Sequence, residues 1–180
     1  MTPAEAEHIA RILEQFQDVF GFAAAAFLPN AAATPVGDII TQLNVRNPYG
    51  GVVFGFTALA LVYSFEAVAK PLNFPPSIVG EIKLGDLAIV QNNLGSGESA
   101  EVACFRHLRK CFAHGRYSVA VAGNTTTVVM RDFNPQGNQT FEASCEAQVV
   151  GGMAERILIA AHAEAASVAL PPNPAPAAAP

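Results

Sequence analysis

Two side chains in this sequence combine in a way that suits phosphate chemistry. Arg109 and His114 form an Arg-x-x-x-x-His pair. The first is a permanent cation that grips phosphate through parallel hydrogen bonds, and the second is an imidazole able to take or give a proton near neutral pH. They sit in the stretch from Cys104 to Tyr117, the most basic part of an acidic chain. Of the ten Lys and Arg in 180 residues, five (Arg106, Arg109, Lys110, Arg116 and Arg131) fall between residues 102 and 131, where there is no Asp or Glu. A net charge of -5 lacks the broad positive field that sequence-blind duplex binding needs; what remains is one local patch that attracts anions. Phosphate is therefore the first ligand to consider, with Arg106, Lys110, Arg116 and His107 as candidates for holding it. His107 lies one i, i+7 step before His114, so the two imidazoles can share a groove, a plain surface histidine being the competing reading.

Such chemistry needs a rigid element to hold it. Cys104, Phe105, Leu108, Cys111 and Phe112 recur at i, i+1, i+4, i+7 and i+8, the apolar stripe of a helix starting from Ser99, with Glu98 and Glu101 near its positive end. Arg106, His107, Arg109, Lys110 and His114 are left for the exposed side, and Gly115 stands just past the last turn. The period then changes. Tyr117 to Ala122 and Thr125 to Arg131 are rich in Val and Thr and are joined by Gly123-Asn124, a hairpin signal. Asp132 opens the turn before Asn134-Pro135, either forming that turn or orienting a site residue. Gln139 to Glu142 adds a third short strand, and the last helix is expected from Ala143 to about Leu170.

Upstream, Thr2 to about Leu28 carries a helical pattern with Thr2 as cap and Pro3 at the first position. Pro35 to about Leu43 reads as a second helix, Asn44 to Gly51 as a breaker, and Ser77 to about Asn93 as a further helix weakened by Gly80 and Gly85. Val52 to Phe65 is almost continuously apolar, but its fourteen residues fall short of a bilayer span of about 20. It reads as a buried core helix, and no membrane partner is expected. One domain is expected over residues 1–170, followed by a disordered Pro/Ala tail over 171–180. Cys104, Cys111 and Cys145 lack Cys-x-x-Cys spacing and read as reduced, mostly buried thiols; neither metal nor cofactor is expected. Glu5 and Glu7 stand where a signal peptide would carry positive charge, which makes the cytoplasm the expected location.

Arg109-Lys110-Cys111-Phe112-Ala113-His114, preceded by Phe105-Arg106-His107-Leu108 and followed by Gly115-Arg116-Tyr117, resembles the signature helix of the HEPN superfamily. The continuation to Arg131-Asp132-Phe133-Asn134-Pro135 and Thr140-Phe141-Glu142-Ala143 resembles a plasmid-borne bacterial HEPN-like group in particular. The likeness covers residues 104 to 143. It implies a mainly α, HEPN-like helical bundle with a small β-hairpin insertion before the last helix, commonly a homodimer. In such a dimer Arg109 and His114 of two protomers meet at a two-fold axis and cut RNA without a metal. It further implies a toxin-antitoxin or anti-phage role, with an antitoxin among the expected partners. The chain departs from the family at Lys110, where members often carry Asn, His or Asp; lysine keeps the positive charge but accepts no hydrogen bond. A non-catalytic HEPN-like module that binds a nucleotide or a protein is the competing expectation.

Overall fold

The computed structural model of the chain describes residues 2–3, 6–7, 48–123 and 125–169. The helices expected over Thr2–Leu28 and Pro35–Leu43 fall, but for four residues, outside the described ones, as does the Pro/Ala tail. Helix α1, Pro48–Tyr63, begins before its apolar run, inside the expected breaker. Proline suits a first helical position, where its fixed φ and missing N–H cost nothing. α1 continues into a π-helical turn, Ser64–Ala69, in which the Lys70 N–H reaches back five residues to the Phe65 carbonyl (2.9 Å). No described helix is long and apolar enough to cross a membrane.

Beyond Pro71 the chain leaves the expected helical bundle. In place of one helix over Ser77–Asn93 there is a single turn α2, Pro76–Val79, a 3₁₀ turn, Leu84–Asp86, and a strand β1, Ala88–Asn92. Gly80 and Gly85 weaken a helix here, and Ile89 and Val90 are β-branched residues that suit a pleated surface. β2, Tyr117–Ala122, and β3, Thr125–Phe133, form the expected hairpin. β4, Gln139–Glu146, runs past its expected end because Ala143 and Cys145 pair across with Met130 and Val128. All pairings are antiparallel, in the order β1-β4-β3-β2. The fold is thus an α/β mixture with a four-stranded sheet, and the expectation of a mainly α bundle with a small hairpin insertion is corrected. Local pattern cannot register a strand such as β1, whose partner lies some fifty positions away.

Helix α3, Ala100–Ala113, and the long α4, Ala147–Ala169, pack with α1 over one face of the sheet. Val128, Met130, Phe141 and Ala143 from that face join Phe105, Leu108 and Cys111 of α3 and Met153, Ile157 and Leu158 of α4 in one buried cluster. The ring of Phe65 meets Phe105 edge-on at 5.1 Å. Among the described residues nothing covers the opposite face, where Ser118, Ala120, Arg131 and Val90 are all exposed. β2 forms the sheet edge, and Val119 and Val121 are exposed as well.

Candidate functional site

The ends of α3 are set by short-range chemistry. Ser99 caps the start, its Oγ accepting the Val102 N–H at 3.2 Å. At the other end Gly115 adopts φ 61, which lets the Arg116 N–H reach the Cys111 carbonyl (2.7 Å) and its own N–H reach that of Phe112 (3.4 Å). This double closure leaves His114 as the exposed cap residue and turns Arg116 back towards the sheet. The apolar stripe Cys104, Phe105, Leu108, Cys111 and Phe112 is buried as its spacing requires.

His107, expected on the exposed side, is instead buried. Its Nδ1 lies 2.9 Å from the Asp132 carboxylate, its Nε2 lies 3.0 Å from the Asn93 carbonyl, and its ring stacks on Phe141 at 5.1 Å. Both partners are hydrogen-bond acceptors. Asp132, expected as a turn former, is fully buried near the end of β3. Arg116 donates to it at 2.7 Å and the Lys110 ammonium stands 3.7 Å away. Burial pushes this carboxyl up. Hydrogen bonds from His107 and the Phe133 backbone, with the charges of Lys110 and His107, outweigh it and hold the group below its ordinary value.

The remaining arginines have acquired carboxylates from outside the basic window. Arg106 forms a fork with Glu98 (2.9 and 2.8 Å) and donates to the Asn93 carbonyl at 3.1 Å. Its hydrogen bond holds the Glu98 carboxyl below its usual range. Arg131 pairs with Glu142 at 3.2 Å. Arg109 pairs with Glu66 and lies over the Phe65 ring at 5.1 Å, so both of its partners belong to the π turn. Its Nε is buried with no hydrogen-bond partner among the described residues. Among the described residues Arg106 and Arg131 are each paired with one carboxylate, Arg109 shares Glu66 with Lys70, and Lys110 and Arg116 share Asp132, which the His107 ring also meets. Two cations thus stand on one carboxylate both at Asp132 and at Glu66.

Helical geometry sorts the candidates further. Arg106, Lys110 and His114 are four apart and follow one another in steps of about 40° around α3, whereas Arg109 and His114 are five apart and about 140° from each other. Within one chain the Arg-x-x-x-x-His pair therefore does not converge; His114 shares its face with Lys110. No hydrogen bond or ion pair of the His114 imidazole occurs among the described residues. Two depressions flank this region. One, about 290 Å³, is lined by Asn93, Arg106, His107, Lys110, Phe133 and Thr140 among others. The second, about 310 Å³, takes in Arg116, Tyr117, Arg131 and, again, Phe133.

The cysteines stand apart from this chemistry. Burial pushes the Cys104 and Cys111 thiols to about 12 and Cys145 to about 11. Among the described residues no group of three or more His, Cys, Asp and Glu could hold a metal ion. Sequence reasoning missed Glu66, Glu98, Glu142 and the Asn93 carbonyl as partners, since no spacing signals a contact between separate elements. Phe133 ends β3, and no local signal in the sequence places it between two basic hollows. No protein-family model, curated protein or solved structure matches the chain.

Proposed function

We propose that the chain binds RNA along the Arg106–Lys110–His114 face of α3 and cleaves it without a metal ion, His114 being the proton-transfer group. The observation that carries this reading is the shortage of carboxylate at that end of the helix. Among the described residues Lys110 and Arg116 have only Asp132 between them, and an exposed imidazole shares the face of Lys110. A bound phosphodiester supplies the missing negative charge. In the reaction the ribose 2′-oxygen attacks phosphorus while His114 takes its proton. The P–O5′ bond breaks, leaving a 2′,3′-cyclic phosphate and a 5′-hydroxyl that receives its proton from an acid. An isologous homodimer provides that acid as the second His114, and Lys110 and Arg116 offset the charge that develops on phosphorus. Across the dimer the Arg109 of the second protomer joins them by exchanging Glu66 for phosphate. The likeness of residues 104 to 143 to the HEPN superfamily supports the same reading, and a toxin or anti-phage setting with an antitoxin partner rests on that likeness alone.

A binding module that does not cleave is the second reading. It is favoured by one observation, the engagement of Arg109 with Glu66 and Phe65 on a face of α3 away from His114. Incubation of the purified protein with single-stranded RNA in EDTA separates the two. Cleavage that disappears in His114→Ala, with fold, oligomeric state and RNA affinity retained, supports the first. Binding by wild type without cleavage leaves only the second, and absence of binding removes both. Glu66→Gln, which releases Arg109, raises the cleavage rate if Arg109 acts on phosphate and leaves it unchanged otherwise.

A further inference from the structure

We propose that Phe133 is a stacking platform for an unpaired base of single-stranded RNA, with a phosphate subsite on each side of it. The inference rests on the RNA reading above and names the part of the ligand that this surface recognises. Phe133 is half-buried and lines both basic depressions, Arg106 and Lys110 on one side, Arg116 and Arg131 on the other. No carboxylate is among the described residues lining either hollow. The carboxylates that pair with these cations are the less exposed members of each pair. Asp132 is 0% exposed against 39% for Arg116, and Glu142 is 23% against 45% for Arg131. The cations therefore present their outer sides to solvent while their charges stay fixed in position.

The backbone sets Phe133 between the two hollows. The β3–β4 register shifts between Asp132 and Phe133, and such an irregularity re-aims the side chain after it. Arg116 holds that point from beneath, donating to Asp132 and, at 3.4 Å, to the Phe133 carbonyl. The next turn is stiffened by Asn134, whose Oδ1 accepts the N–H groups of Gln136 (3.1 Å) and Asn138 (2.9 Å). An aromatic face between two basic hollows matches a base with its 5′ and 3′ phosphates, the arrangement by which proteins hold single strands. A paired base is already stacked on both sides, so a duplex gains nothing from the ring. Asn93 and Thr140, which line the hollow beside Lys110, are placed to meet the edge of a base or a ribose hydroxyl.

The test is fluorescence anisotropy with a short 2′-O-methyl single-stranded RNA, which cannot be cut, and with the same oligomer carrying abasic residues. Wild type is expected to bind the intact oligomer at least about fivefold more tightly than the abasic one. Phe133→Leu should lower affinity for the intact oligomer to the abasic level, and Phe133→Tyr should keep the preference. Equal binding of the two oligomers by wild type overturns the platform and leaves the RNA reading standing; so does a Leu variant that keeps the preference. Binding of neither oligomer removes the RNA reading, and this inference with it. Duplex RNA bound as tightly as the single strand also overturns the platform. The wild-type comparison decides the matter even where a Phe133 variant folds poorly.

Discussion

Replacing Asp132 with Asn tests how the cations of α3 are held. Asp132 is fully buried and serves His107 at 2.9 Å, Arg116 at 2.7 Å and Lys110 at 3.7 Å. Asparagine keeps the shape but not the charge, and it turns an amide donor towards one of two groups that are themselves donors. Arg116 and Lys110 can relax into water, being 39% and 35% exposed, whereas His107 cannot. Removing one member of a buried pair costs about 3–5 kcal/mol, and because two of the three partners can relax the lower end, about 3 kcal/mol, is expected. In a domain of this size that is a fall in Tm of roughly 6–12 °C. Urea unfolding of Asp132→Asn beside wild type measures it. The sign with pH is set by the carboxyl lying below its ordinary value in the folded chain. Its contribution is complete above the unfolded value of about 3.9 and is lost as pH falls through the lower folded value, so the gap between wild type and variant should narrow in acid. A variant within about 0.5 kcal/mol of wild type at neutral pH, or a gap that does not change in acid, would refute this account of how His107 is held.

Other outcomes are expected from single features of the same region. Gly115→Ala should cost about 1–2 kcal/mol in urea unfolding, since the residue must hold φ 61; the space around the added methyl is open, so a larger loss would point to something other than backbone strain. Gly115→Asn should cost less, asparagine entering that conformation more readily. Burial of Cys104 and Cys111 predicts that iodoacetamide at pH 8 leaves both unmodified in the native protein and alkylates them in urea, as read by mass spectrometry. Rapid labelling of native Cys111 would contradict the place given to it in the core.

The sequence is legible where neighbouring residues decide the structure among themselves. The stripe from Cys104 to Phe112, the Ser99 cap, the stop at Gly115 and the Tyr117–Phe133 hairpin each arise from a period or a turn preference. β1 cannot be read this way. Ile78, Ile82, Leu84 and Leu87 imitate a helical face, and what makes Ala88–Asn92 a strand is the waiting edge of β4. The site is hidden for the same reason. A window from 102 to 131 without acid looks strongly basic until Glu66, Glu98 and Glu142 arrive from other elements and pair with three of its arginines. Angle alone assigns His107 to the solvent side, and a carboxylate 25 positions downstream brings it inside.

The π turn at Ser64–Ala69 gives the seat of Arg109 an unusual dependence. A helix has a frame of 3.6 residues per turn, and a wider turn is in effect one residue inserted into that frame. Here the surplus keeps Phe65, Val68 and Ala69 in the core while Glu66 meets the guanidinium. Deleting one residue from the turn would rotate α1 against the chain beyond the turn by about 100°. The core positions or the carboxylate would then lose their place, even with every side-chain type retained. Arg109 is held by how many residues stand in that turn as much as by which residues they are.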